Sequence, residues 1–68
     1  MRSFLVWFKD EEGFPRAWGR SESIHVARAK ADQELAFYRD VLATVKGDPE
    51  AWTRPFVEAV KIIEPNPE

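Results

Sequence analysis

The sequence predicts a small α+β domain in which a three-stranded sheet of order 2-1-3 is packed on one face by a single long helix. An apolar run at residues 4–8 is typical of a strand that is covered on both sides. Apolar residues at helical spacing follow, and a β-branched segment then occupies 56–63. The expected order of elements along the chain is therefore β-β-α-β. A chain of 68 residues has room for only one such domain.

The first two elements are predicted to form a hairpin. The first strand covers 3–9, and the segment 10–13 ends in Gly13, which can adopt the positive φ of a tight loop. The second strand is expected at about 14–20 on a sheet edge, because Pro15 cannot donate a ladder hydrogen bond. Strict alternation assigns two faces to this strand, one with Phe14, Arg16, Trp18 and Arg20 and the other with Pro15, Ala17 and Gly19. The small residues of the second face would let a helix approach closely.

The helix is predicted to span about 22–46, with Ser21 as its N-cap and Ser23 as the alternative. Its apolar stripe consists of Ile24, Ala27, Ala31, Leu35, Tyr38, Leu42 and Val45. Gly47 suits the position after the helix, where a positive φ is common. A helix of this length is longer than a seven-residue strand, so its last turns should overhang the sheet or meet another subunit.

The C-terminal part is predicted to contain one helical turn at 48–52 and the third strand at 56–63. We expect a single domain over residues 1–64 and a flexible tail at 65–68. A right-handed crossover through the helix would lay the third strand parallel to the first. Apolar residues on both faces of the third strand leave its register open.

Composition argues against several classes of function. The net charge is −2 and the pI about 5.4, so no overall field favours nucleic acid. The chain has no cysteine and a single histidine, His25, and it therefore predicts no zinc site and no cofactor. No residues assemble a nucleophile, a base and an orienting group, so we expect neither an enzyme nor a small-molecule substrate. The N-terminal apolar run is too short for a membrane span or a signal peptide, which favours a cytoplasmic protein.

The candidate binding surface is the sheet face that the helix cannot cover. If Phe4, Val6 and Phe8 face the helix, the opposite face carries the partner-binding set Leu5, Trp7, Arg16, Trp18 and Arg20. Tryptophan and arginine are enriched at interface hot spots. The expected partner is another protein or a second copy of the chain, as in a homodimer. In the alternative, Trp7 and Trp18 are packed beneath the C-terminal segment by Trp52 or Phe56.

A function of a different class also uses this face. Two tryptophans beside arginines could stack the bases of a single-stranded nucleic acid. The acidic balance of the chain makes this alternative weaker than a protein partner.

The passage from the second strand into the helix resembles one known family. Gly19-Arg20-Ser21, followed by Ala27, Ala31, Leu35 and Tyr38, is similar to the strand-to-helix passage of HicB-type antitoxins. The resemblance covers about half of the chain, and it implies a β-β-α-β module that binds a protein partner. The family's usual extra strand between hairpin and helix is missing here.

Overall fold

A computed structural model describes residues 2–64 of the chain. Its elements are β1 (Ser3–Lys9), β2 (Pro15–Ser21), α1 (Ile24–Thr44) and β3 (Val57–Ile63). The sheet has the order β2-β1-β3, so the predicted α+β class and strand order are confirmed. The expected flexible tail at 65–68 lies outside the described residues.

The direction of β3 differs from the prediction. β1 pairs antiparallel with β2 and also antiparallel with β3, whose Val57 lies opposite Lys9 and whose Ile63 lies opposite Ser3. The hairpin reverses the chain once, and α1 then carries it back to the end of the sheet where β2 begins. β3 must therefore run parallel to β2 and antiparallel to the strand between them. The crossover through α1 connects β2 to β3, and these two strands are the parallel pair. The predicted parallel arrangement of β1 and β3 is therefore wrong.

The hairpin turn has the predicted location and contains an additional irregularity. Gly13 has a φ of 88°, and the Asp10 carboxylate accepts hydrogen bonds from the backbone N–H groups of Glu12 and Phe14, each 2.9 Å long. Phe8 lies opposite Ala17, but Lys9 lies opposite Pro15, so a β-bulge leaves Arg16 without a partner residue in β1. The side chains that precede the bulge therefore lie on the opposite face from the one that strict alternation predicts.

α1 packs closely on β2 because the residues between them are small. A Cβ atom on Gly19 would lie 2.2 Å from the Ala27 carbonyl oxygen and 2.6 Å from the Ala31 nitrogen, so only glycine fits there. Ala17, Ala27 and Ala31 are buried at this contact together with Val6 and Phe8 of β1. The close approach expected from the small residues is confirmed.

The N-cap of α1 differs from the first candidate, and the segment after α1 contacts its last turns. Ser23, the alternative candidate, is the N-cap, and its hydroxyl accepts from the Val26 N–H. Residues of the segment that follows α1 contact its last turns. Arg39 donates from Nη1 to the carbonyls of Ala51 (2.7 Å) and Arg54 (3.0 Å).

β3 is the least covered strand. No Cα atom of α1 lies within 8 Å of a Cα atom of β3, and both elements are described in full. An ion pair of 2.9 Å between Arg28 Nε and Glu58 Oε1 connects them. Val60 and Ile62 face the helix side of the sheet but remain 42% and 52% exposed. The helix therefore covers two of the three strands.

Candidate functional site

The sheet face opposite α1 is open, and the pairing register identifies its residues. Leu5 lies between Arg20 and Lys61, Trp7 lies between Trp18 and Ala59, and Lys9 lies between Pro15 and Val57. Opposed residues of antiparallel strands project from the same face of a sheet. We call these nine residues the open face.

The centre of the open face is a cross-strand pair of tryptophans. Trp7 of the central strand lies directly opposite Trp18 of the edge strand, which is 60% exposed. Leu5, Trp7, Pro15 and Trp18 line a shallow depression of about 320 Å³. Its lining is almost wholly apolar, so it can accept an apolar side chain or a flat ring.

The alternative in which Trp52 or Phe56 covers the two tryptophans does not fit the described chain. Phe56 packs edge-on against Tyr38 of α1, with the ring centroids 6.0 Å apart. The Arg39 guanidinium lies 4.8 Å from the centroid of the same ring. Trp52 is largely exposed and does not line the depression. The segment that precedes β3 is therefore folded on the helix side of the sheet.

Of the five candidate site residues, the structure brings four together and separates one. Leu5, Trp7, Trp18 and Arg20 share the open face. Arg16 does not, because the bulge directs its side chain toward α1, where its Cζ lies 5.6 Å from the Tyr38 ring centroid. Phe14 lies beside Arg16, at 5.5 Å, and not beside the tryptophans. The predicted placement of Arg16 is therefore wrong.

Arg16 belongs instead to a group of ion pairs at the hairpin tip, one of which connects the tip to the segment that follows α1. Its Nε donates to Asp10 Oδ2 at 2.7 Å, while Arg54 contacts Glu11 at 3.6 Å and also pairs with Asp48. The hydrogen bond from Arg16, together with the two backbone N–H donors, holds the pKa of the Asp10 carboxyl below its ordinary value. Arg16 and Arg54 are already paired with carboxylates, which indicates that both side chains have a structural role.

The charge of the open face is entirely positive. It carries Lys9, Arg20 and Lys61, and all twelve Asp and Glu residues of the chain lie elsewhere in the sequence. Lys9 Nζ lies 5.9 Å from the Trp7 ring centroid, a cation–π distance. Among residues 2–64, no carboxylate oxygen lies within 4.0 Å of any of the three cations.

Five residues of the face are absent from the sequence-based prediction, namely Lys9, Pro15, Val57, Ala59 and Lys61. Lys9 lies two positions after Trp7, so alternation along β1 is a signal that could have identified it. Lys61 is assigned to the open face only by the pairing of β3 with β1. Pro15 reaches the face only because of the bulge, which the sequence does not specify. The three cations of the open face, Lys9, Arg20 and Lys61, form its charged rim. The sequence thus predicts the tryptophan centre and one residue of the rim, Arg20, and misses the other two.

The described residues include neither a metal-ligand cluster nor a membrane-spanning helix. Within 2–64, no group of three or more His, Cys, Asp and Glu side chains is placed to hold a metal ion. No helix in that range combines the length and apolar character needed to cross a bilayer.

Comparison with known proteins gives no family assignment. No family model, curated protein or solved structure matches the chain. The similarity to HicB-type antitoxins therefore rests only on the residues from Gly19 to Tyr38 quoted above.

Proposed function

We propose that this protein is a non-enzymatic interaction module of the cytoplasm that binds another protein through its open face. The observation that carries the proposal is the cross-strand pair of the half-buried Trp7 and the exposed Trp18, which line an apolar depression. On one face of the sheet α1 covers β1 and β2, whereas the opposite face presents Trp18 to solvent with the half-buried Trp7 beside it. Contiguous apolar patches of this kind are uncommon on monomeric proteins and mark interaction sites.

The mechanism is surface complementarity. Burial of apolar area contributes about 25 cal/mol per Å², and Trp18 retains more than half of its surface for such a contact. Two adjacent tryptophans also form a rigid centre, so little side-chain entropy is lost on binding. The partner is a different protein or a second copy of the chain.

The first test is the solution mass of the purified protein by light scattering across a dilution series, with tryptophan emission recorded on the same samples. A dimer with blue-shifted emission that Trp18→Ala abolishes supports self-association through the open face. Phe37→Ala is the matched control, because Phe37 is an aromatic residue of similar exposure, 66%, on the helix. A dimer that resists Trp18→Ala and Trp7→Ala in folded protein contradicts the use of this face.

A single-stranded nucleic acid is the second candidate, and the positive rim favours it. Lys9, Arg20 and Lys61 could contact phosphates while bases stack on the tryptophans. The net charge of −2 opposes a long polyanion, since all twelve Asp and Glu residues lie outside the open face. Quenching of tryptophan fluorescence by a thymidine oligonucleotide, with steep salt dependence, is the expected result if this candidate is correct.

A further inference from the structure

The charge of the open face restricts what can bind there, provided that the face is a docking site as proposed above. Three cations surround the depression, and none of them has a carboxylate partner among residues 2–64. Desolvating these cations against an uncharged surface costs free energy that nothing recovers. A partner that supplies carboxylates opposite them avoids that cost.

The same charges oppose a second copy of the chain stacked face to face. Such a dimer would bring six cations to one interface with no carboxylate from either open face. Like charges brought together at an interface cost several kcal/mol. Self-association of this face is therefore less favourable than binding of a partner with the opposite charge.

We propose that the occupant of the open face is an acidic segment of another protein. One apolar side chain of the segment enters the depression between Trp7 and Trp18. Carboxylates on either side of it pair with Arg20 and Lys61, which are exposed on the two outer strands. Lys9 is half-buried against Trp7 and supplies a third positive position near the hairpin.

A peptide is favoured over a nucleic acid because the positive region is short. The cations lie within one sheet face of three seven-residue strands, roughly 23 Å long at about 3.3 Å per residue. Beyond Lys9 the hairpin presents the exposed Glu12, which repels a continuing phosphate backbone. A segment with only a few carboxylates matches this limited area.

The proposal is tested with a phage-displayed library of random peptides of about ten residues. Phage that bind the Trp18→Ala variant are first removed, and the remaining phage are selected for binding to the full chain. Acidic peptides that contain an apolar residue are expected. The best of them is then synthesised together with a twin in which each Glu or Asp is replaced by Lys, and both are titrated by tryptophan fluorescence. The acidic peptide should bind at least about tenfold more tightly than its twin.

Charge variants on the rim identify the contacts. Arg20→Glu and Lys61→Glu should each weaken the acidic peptide about fivefold to tenfold, whereas Lys46→Glu, beyond the end of α1, should leave binding unchanged. Circular dichroism of the same variants verifies that they are folded. Equal weakening by Lys46→Glu would mean that net charge, and not the rim, determines affinity, and it overturns the proposal.

The remaining outcomes separate this inference from the proposed function. Neutral or basic peptides that still require Trp18 would overturn the acidic partner and leave the docking face intact. Tighter binding of a thymidine oligonucleotide of about ten nucleotides than of any selected peptide would assign the face to nucleic acid. Selection of no peptide that depends on Trp18, together with no oligonucleotide binding, would contradict both proposals.

Discussion

Replacement of Gly19 by alanine tests the contact on which the fold depends. The added Cβ would lie 2.2 Å from the Ala27 carbonyl oxygen and 2.6 Å from both the Ala31 nitrogen and the Lys30 Cβ, at least about 1 Å closer than ordinary van der Waals contact. Two of these atoms are helix backbone, so no rotamer change can relieve the clash. α1 must move away from β2 as a unit.

The expected loss of stability is large for a domain of this size. Forcing extra atoms into a packed contact costs about 1–3 kcal/mol, and we take the upper value because the neighbours are backbone. A chain of this length has a free energy of unfolding of about 3–10 kcal/mol. A loss of about 3 kcal/mol corresponds to a fall in Tm of about 10–25 °C. In an unobstructed strand, the same substitution would raise stability by about 0.5–1 kcal/mol.

Thermal unfolding followed by far-ultraviolet circular dichroism measures the effect. Gly13→Asn serves as the control, because a Cβ on Gly13 would have no neighbouring atom within 4 Å and asparagine is one of the residues that adopt a positive φ at the lowest cost. The control should shift Tm by less than about 5 °C. A Gly19→Ala variant that melts within about 3 °C of the parent, or above it, would show that α1 does not pack on β2 as described.

Three further predictions concern charged side chains. The lowered pKa of Asp10 means that its carboxylate adds stability above its unfolded pKa of about 3.9, and this contribution is lost as the pH falls through the lower folded value. Asp10→Asn should therefore flatten the acid limb of a stability-against-pH curve measured in urea, and an unchanged limb would contradict the Arg16 contact. Arg39→Met should cost about 1–3 kcal/mol, because two carbonyls of the segment before β3 lose their donor, and it should increase proteolysis within 45–56. Arg28→Ala should cost less than about 1 kcal/mol by denaturant unfolding, since its ion pair with Glu58 is substantially exposed, and a larger loss would imply that this pair is essential for holding β3.

The sequence predicts the regular parts of the fold well, because each has a local physical cause. β1 has the predicted bounds of 3–9, since its aromatic and β-branched residues favour an extended strand. The packing of α1 follows from Gly19 and the alanines at helical spacing. Ser23 rather than Ser21 caps the helix, a choice between two equivalent residue types that composition cannot make.

The errors arise where an outcome depends on pairing between distant segments. Pro15 signals that the ladder is interrupted, but which residue becomes the extra one depends on how β2 meets β1, and this decides the position of Arg16. Lys61 joins the candidate site only through the register of β3, which apolar residues on both faces leave undetermined. The tryptophan centre was predictable from alternation alone, whereas the complete rim required the three-dimensional pairing.

The β-bulge between β1 and β2 makes the chemistry of the open face separable from the stability of the core. Residues after the bulge, from Ala17 onward, are held in register by the contact of Gly19 with α1. The register of the residues before the bulge does not depend on that contact. Deleting Pro15 would place Arg16 opposite Lys9, on the open face, while the helix contact stayed in place. A designer could thus change the electrostatic character of this surface by altering chain length at one position, without repacking the interior.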